Sequence, residues 1–264
     1  MATTFSFLAS VNSRDLDRAE LALARAHKMV AQLERELSEF LPESPVYRLA
    51  HAPIGEKIEA PDSLLRLLER SSFLGNKTNW AFDVSVKSRD SGGNLLDRFS
   101  WDAENKSVWK KREGARLGFG AIGKGFALDS VRTFLEAEGI ENFVLNSGGS
   151  SIVLSGFAAP GNPWAWAWSW KRDDEGDLLG IDFFHREGRT LALGISGTME
   201  QGSHLLRPHG MQEGCGPQSA LVGHASAADA DALSTALYVL GWDEGMKVIP
   251  DSMNQAAVAL IDED

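Results

Sequence analysis

The residues best suited to chemistry in this chain lie in a glycine-dense turn and at the start of the helix that follows it. Lys124 stands among five glycines in and around the turn: Gly114, Gly118, Gly120, Gly123 and Gly125. Glycines at this density let backbone amides approach a ligand closely. A helix predicted over about 126–138 directs its partly positive N-terminus at the same place. The turn therefore suits a phosphate or pyrophosphate, or else is a tight loop packed on a sheet.

Two known phosphate-binding motifs match the turn only in part. Gly118, Gly120 and Gly123 have the GxGxxG spacing of dinucleotide-binding folds, but residues 110–114 do not form the buried strand that this motif requires. The turn also fits the first seven positions of GxxxxGK[ST], yet Gly125 stands where the magnesium-binding hydroxyl belongs. The turn is therefore assigned to neither motif.

A second candidate site lies far downstream, in the segment DADALSTALYVLG. Asp231 and Thr235 have i, i+4 spacing in a helix predicted over 227–240, so their side chains share one face. A carboxylate and a hydroxyl at that distance suit a hard cation and leave positions for phosphate oxygens and water. The same spacing also fits an ordinary polar stripe, and the pair alone does not separate these readings.

The elements that must position these residues predict an α+β fold, with mixed, mainly antiparallel sheets and packed helices. Strands and helices do not follow a strict βαβ order, and the whole chain, 1–264, is expected to form a single domain. Strands are predicted over 3–11, 151–154, 164–170, 179–184, 190–195, 221–226 and 256–261, with a polar hairpin over 99–111. Further helices are predicted from Asn12 to about Phe40, over 60–74 ending at Gly75, and over 243–249 after a break at Gly241. The first of these carries an apolar stripe that is expected to face the core, made of Leu16, Leu23, Val30, Leu33, Leu37 and Phe40.

Charge and composition exclude several classes of partner. The net charge of -11 does not support a basic face for nucleic acid or for an anionic membrane surface. We find no apolar run of the roughly 20 residues that a membrane span needs, and no signal peptide. Cys215 is the only cysteine, which excludes an intrachain disulfide. The expected location is the cytoplasm, or outside it if a leader precedes this sequence.

Several segments, in order, resemble the ApbE-type flavin transferases, which are FAD:protein FMN transferases. GAIGKGFALD, NSGG and DADALSTALYVLG carry most of the resemblance. MATTFSF, LSEFLPESPVYRL, NWAFDVSV and SHLLRPHG resemble other family segments in the expected order. The resemblance covers the chain from Met1 to about Gly241, and it implies an ApbE-like, T-fold-related architecture.

The resemblance implies a Mg²⁺-dependent transfer of FMN from FAD to a Thr or Ser hydroxyl of an acceptor flavoprotein, with release of AMP. The metal ligands would be the Ala121 carbonyl, Asp231 and Thr235, and the catalytic residues would be His204 and Lys124. The residues implied to line FAD are Met1, Phe40, Ala81, Phe82, Asp83, Lys124 and Leu206.

Four places in or near the implied pocket depart from the family pattern. Gly118 replaces an aspartate, Asn79 and Trp80 replace two glycines, Ile195 replaces a threonine, and Arg207 replaces an aspartate. Trp80 would either crowd the flavin or stack on it. Two alternatives to the transferase therefore stay open: an FAD pyrophosphatase that yields FMN and AMP, and a non-catalytic FAD-binding or assembly protein.

Overall fold

Six helices and thirteen strands are present in the residues that the computed structural model describes, which are 3–89, 92–172, 178–184, 190–197, 219–249 and 258–261. The helices are α1 (Leu16–Leu37), α2 (Pro45–His51), α3 (Asp62–Lys77), α4 (Leu95–Arg98), α5 (Gly123–Ala137) and α6 (Ala227–Val248). The strands are β1 (Phe5–Ala9), β2 (Ile58–Glu59), β3 (Phe99–Asp102), β4 (Ser107–Lys110), β5 (Phe143–Ser147), β6 (Ser151–Ser155), β7 (Phe157–Ala159), β8 (Asn162–Pro163), β9 (Ala165–Arg172), β10 (Leu178–Phe184), β11 (Leu191–Gly197), β12 (Ser219–His224) and β13 (Val258–Ile261).

A six-stranded antiparallel sheet supports the rest of the fold. Its strand order is β1-β5-β6-β11-β12-β13, and every neighbouring pair is antiparallel. Helices α5 and α6 pack against this sheet and against each other, and α1 packs on α5. Smaller sheets join β2, β4 and β3, then β9 and β10, then β7 and β8. The predicted α+β class with mainly antiparallel pairing is confirmed.

The central strands β6, β11 and β12 of this sheet are buried on both faces, because their successive residues belong to two separate apolar clusters. Side chains alternate between the faces of a strand. The main core, shared with the helices, contains Val153, Ala192, Ala220 and Val222. A second cluster contains Ile152, Leu154, Leu193 and Leu221, together with Trp164.

The core face of α1 differs at one end from the predicted stripe of large apolar residues. Its first half buries the alanines Ala19, Ala22 and Ala26, whereas Leu16 is half exposed. Val30, Leu33 and Leu37 are buried as predicted. Alanines carry little apolar surface, so the spacing of larger residues alone misplaced this half of the face.

Glycines marked one helix end correctly and another wrongly. Gly241 has φ 74° inside α6, so the predicted break between two helical segments is confirmed. Gly75 does not end α3, which continues to Lys77. A Cβ atom on Gly75 would lie 2.5 Å from the indole of Trp80. Gly75 therefore leaves room for a packed aromatic ring.

Among the residues that the structure describes, no helix has both the length and the apolar character needed to cross a membrane.

Candidate functional site

Asp231, on the first turns of α6, joins three parts of the chain. Its Oδ2 accepts a hydrogen bond from the backbone N of Gly125 at 2.7 Å, and its Oδ1 accepts one from Ser151 Oγ at 2.7 Å. Gly125 belongs to the glycine-dense turn. Ser151 begins β6, just after the glycine pair of the NSGG segment. The two segments singled out in the sequence therefore meet at this carboxylate, which is 4% exposed.

The electrostatic environment of Asp231 favours a cation. Burial raises the pKa of its carboxyl to about 6, against the opposing effects of the Lys124 charge and of the hydrogen bonds from Ser151 and Gly125. At neutral pH, the Lys124 charge and the two hydrogen bonds compensate the negative charge of this buried carboxylate only in part. A bound metal ion would supply the missing positive charge.

Thr235 lies one turn further along α6, as its spacing predicted. Its Oγ1 donates to the Asp231 carbonyl oxygen at 3.1 Å and lies 3.1 Å from Ser196 Oγ. Ser196, on β11, also lies 2.9 Å from Ser234 Oγ. This cluster of hydroxyl groups beside Asp231 was not predicted, because it joins a strand and a helix that are distant in sequence.

The donor set at this place fits a hard cation. It offers the Asp231 carboxylate and the Thr235 hydroxyl, and the turn that carries the Ala121 carbonyl is tied to that carboxylate through Gly125. Oxygen donors of these kinds suit Mg²⁺. Among the described residues, no group of three or more His, Cys, Asp or Glu side chains has metal-binding geometry. Within the described part of the chain, a cation here would therefore also need carbonyl or hydroxyl ligands.

Two glycines let α6 lie directly against its neighbours. A Cβ atom on Gly125 of α5 would lie 2.0 Å from the Ala227 carbonyl oxygen. A Cβ atom on Gly194 of β11 would lie 2.3 Å from the carbonyl carbon of Ala230. Both contacts are with backbone atoms, which cannot rotate away. The position of Asp231 therefore depends on the absence of these two side chains.

Asp129 of α5 fixes the N-terminus of α6. Its carboxylate accepts hydrogen bonds from Ser226 Oγ at 2.7 Å and from the backbone N atoms of Ala227 and Ala228, each at 3.0 Å. These donors are among the amide groups that a helix leaves unsatisfied at its start. The two helices that carry the site are therefore held together by polar contacts as well as by packing.

The glycine-dense turn serves packing more than the sequence indicated. The Lys124 Nζ atom lies 3.4 Å from the Gly120 carbonyl oxygen. Gly123 and Gly125 belong to α5, which begins three residues earlier than predicted. Of the five glycines, only Gly114 has a positive φ, at 72°. An added Cβ would contact other atoms at Gly118 and at Gly125, but at Gly120 it would meet no atom within 4 Å. Among these three glycines, only Gly120 therefore has open space where a side chain would stand.

The segment of Ala81, Phe82 and Asp83 is buried beside the turn. The Gly118 backbone N donates to the Val84 carbonyl oxygen at 2.8 Å, which ties this segment to the turn. Asp83 Oδ1 accepts hydrogen bonds from the backbone N and Oγ of Ser85, each at 2.8 Å. Burial raises the pKa of the Asp83 carboxyl, and the Ser85 hydrogen bonds and the Arg98 charge oppose this. Flavin lining by these three residues stays a prediction.

Asn79 and Trp80 adopt the left-handed conformations that glycines would adopt easily. Their φ angles are 49° and 61°. For a residue as bulky as tryptophan this conformation costs on the order of 1–3 kcal/mol. The Trp80 indole packs on Gly75 of α3 and against the main core. The packing of this ring offsets the cost of its backbone conformation.

Phe40 follows α1 and is 75% exposed. Lys87 Nζ lies 6.0 Å from the centroid of its ring. An aromatic face this open is available for stacking, although the predicted contact with a flavin is untested. Met1, His204, Leu206 and Arg207 lie outside the described residues.

Asp229 is turned away from the site, two residues before Asp231. It is 1% exposed, and it accepts hydrogen bonds from Nε and Nη2 of Arg70 on α3, the first at 2.7 Å. The hydrogen bond that Arg70 donates to Asp229 raises the pKa of Arg70. This buried carboxylate therefore joins α6 to α3 and is not a candidate ligand.

Comparisons with known proteins agree on one family. The family model described as "ApbE family" matches residues 1–260. An FAD:protein FMN transferase of Klebsiella pneumoniae (strain 342) is 22% identical over 284 residues, which cover 94% of this chain and 77% of that protein.

Solved structures of flavin transferases share the fold. The flavin transferase ApbE from Vibrio cholerae matches with a TM-score of 0.81 and 21% identity, over 100% of this chain and 91% of that one. The apo form of the Pseudomonas stutzeri flavinyl transferase ApbE matches with a TM-score of 0.79 and 23% identity, over 99% and 92% of the two chains. The predicted ApbE-like architecture is therefore confirmed.

Proposed function

Because this chain belongs to the ApbE family, we propose that it is an FAD:protein FMN transferase that acts as a single domain. The proposed reaction is Mg²⁺-dependent, moves FMN from FAD to a Thr or Ser hydroxyl of an acceptor flavoprotein, and releases AMP. The observation that carries the proposal is the buried Asp231 carboxylate, held against the glycine-dense turn through Gly125 and close to Lys124. The family match over 1–260 and a main core that extends from Ala19 to Ile249 support one domain.

The reaction breaks a phosphoanhydride bond. The acceptor hydroxyl oxygen attacks the flavin-side phosphorus, the hydroxyl proton goes to a base, and AMP leaves with the bridging oxygen. His204 is the proposed base. Lys124 lies in the first turn of α5, where its charge and the positive end of the helix attract the pyrophosphate.

Magnesium would be held by the Ala121 carbonyl, the Asp231 carboxylate and the Thr235 hydroxyl. When bound there, the ion would neutralise charge on the pyrophosphate oxygens. The hydrogen bonds from Gly125 and Ser151 orient the Asp231 carboxylate, and the hydroxyl cluster around Ser196 orients Thr235.

The test is to incubate the protein with FAD, Mg²⁺ and an acceptor flavoprotein, and to measure covalent flavin fluorescence on the acceptor together with free FMN and AMP. A flavinylated acceptor supports the proposal. Free FMN and AMP without labelled acceptor would instead identify an FAD pyrophosphatase. Intact FAD that stays bound would identify a binding or assembly protein.

We expect Mg²⁺ affinity to fall as pH falls through about 6. The raised pKa of Asp231 means that its carboxyl still holds a proton just below that pH, and a metal ion must displace this proton. Above that range the carboxylate is ionised and affinity should level off. Calorimetric titration with Mg²⁺ between pH 5 and 8 measures both the affinity and the protons released. An affinity that is the same at pH 5 and pH 7 would contradict the assignment of Asp231.

We expect the Phe40→Leu variant to bind FAD more weakly, because loss of a ring that stacks on a flat heterocycle costs about 1–3 kcal/mol. Leucine keeps an apolar side chain at this exposed position, so stability should not change. Phe73→Leu, which alters a half-exposed phenylalanine on α3, is the matched control. Equal dissociation constants for FAD in both variants and in the wild-type protein would remove Phe40 from the flavin site.

A further inference from the structure

An ion pair with no assigned role lies between Phe40 and the glycine-dense turn. Lys87 Nζ donates to Glu39 Oε1 at 2.7 Å. The two side chains are partly exposed, 42% for Lys87 and 23% for Glu39. Ion pairs exposed to this degree contribute little to stability. The contribution of this pair to folding therefore does not account for its position.

The pair rests on the backbone of the turn at Gly118. A Cβ atom on Gly118 would lie 3.1 Å from Glu39 Oε1 and 3.2 Å from Lys87 Cδ. The Gly118 backbone N is in turn bonded to Val84, beside Ala81, Phe82 and Asp83. The absence of a side chain at Gly118 thus leaves space that these two charged side chains occupy.

Phe40 and this pair together form a surface with a defined chemistry. Phe40 is 75% exposed, Glu39 precedes it in the chain, and Lys87 Nζ lies 6.0 Å from the ring centroid. An aromatic face is thus bordered by one hydrogen-bond acceptor and one donor in contact with each other. A flat heterocycle that stacks on Phe40 would present its edge to both.

The isoalloxazine ring of a flavin has such an edge, an imide in which N3–H stands between two carbonyl groups. We propose that Glu39 and Lys87 hold the imide edge of the flavin ring beside Phe40. The Glu39 carboxylate accepts a hydrogen bond from N3–H, and the Lys87 ammonium donates one to an adjacent carbonyl oxygen. This inference rests on the proposed function, because it assumes that the substrate is FAD.

The test compares binding of FAD, of FAD methylated at N3 and of ADP to the wild-type protein and to the Glu39→Gln and Lys87→Met variants. Hydrogen bonds to charged groups are stronger than those between neutral groups. We therefore expect each variant to bind FAD about tenfold more weakly and ADP as the wild-type protein does. N3 methylation should cost the wild-type protein about tenfold, and the Glu39→Gln variant much less.

The control is Glu244→Gln, which breaks the exposed Lys247–Glu244 pair on α6 and should leave all three affinities unchanged. FAD affinities in Glu39→Gln and Lys87→Met equal to the wild-type value would overturn the inference, as would an equal effect of N3 methylation in Glu39→Gln and wild type.

If wild-type protein transfers FMN while these variants bind FAD normally, only the inference fails. If wild-type protein shows the N3 preference but transfers no FMN, only the transferase fails, and absence of FAD binding removes both.

Discussion

Replacing Asp231 with asparagine should lower Mg²⁺-dependent FMN transfer by about a hundredfold or more. A metal ion contributes several kcal/mol of charge stabilisation in such reactions, and each 1.36 kcal/mol is a factor of ten in rate. Asparagine has nearly the shape of aspartate and keeps one acceptor for Ser151 or Gly125, but it carries no charge for the ion. Initial rates of acceptor labelling at several Mg²⁺ concentrations measure the effect.

Asp229→Asn is the matched control for this prediction. Asp229 lies on the same helix and is also buried, but its carboxylate binds Arg70. This variant should lose stability, because the hydrogen bonds from Arg70 lose their charged acceptor, while its rate should keep the wild-type dependence on Mg²⁺. Transfer in Asp231→Asn that still rises with Mg²⁺ as in the wild-type protein would remove Asp231 from the metal site.

Replacing Gly125 with alanine should destabilise the protein by about 1–3 kcal/mol, the usual cost of an extra group in a packed core. The added Cβ would lie 2.0 Å from the Ala227 carbonyl oxygen, so α5 and α6 would have to separate. Alanine normally stabilises a helix by up to about 1 kcal/mol relative to glycine. A loss of stability in Gly125→Ala would therefore arise from the contact with α6 and not from helix propensity.

Thermal unfolding of Gly125→Ala, with Gly120→Ala as the control, measures this effect. At Gly120 an added Cβ would meet no atom within 4 Å, so its unfolding midpoint should stay close to that of the wild-type protein. Gly194→Ala should behave like Gly125→Ala, because its Cβ would lie 2.5 Å from the Asp231 backbone N. Equal midpoints for Gly125→Ala and Gly120→Ala would show that the helices adjust without cost.

The sequence predicted the fold class and most elements, because periodicity and breaks are local signals. The strand at Ser151–Ser155 and the helix from Ala227 with its break at Gly241 appear where the pattern indicated. The errors came from packing contacts that periodicity does not show. The indole of Trp80 packs on Gly75, where α3 continues, and the glycine by itself does not distinguish this role from a helix end.

The candidate site was predicted in part for the same reason. The i, i+4 spacing of Asp231 and Thr235 lies within one helix, and the structure places them one turn apart. Ser151, Ser196 and Asp129 were missed because each contributes through a contact with α6 from a different element. The sequence left two uses open for the turn glycines, a ligand cradle and a tightly packed loop, and Gly125 serves the approach of α6. Only the packed structure separates these two uses of glycine.

The contact between Asp129 and the start of α6 joins residues 98 positions apart in the chain, and the one between Gly125 and Asp231 joins residues 106 apart. Pairings of such long range form slowly, because the chain entropy of closing a large loop is lost before the contact contributes any free energy. The ribosome must therefore synthesise α6 before the Asp231 carboxylate can accept hydrogen bonds from its amide and hydroxyl donors. A ligand-binding assay during refolding would then detect only those chains in which α5 and α6 are already in contact.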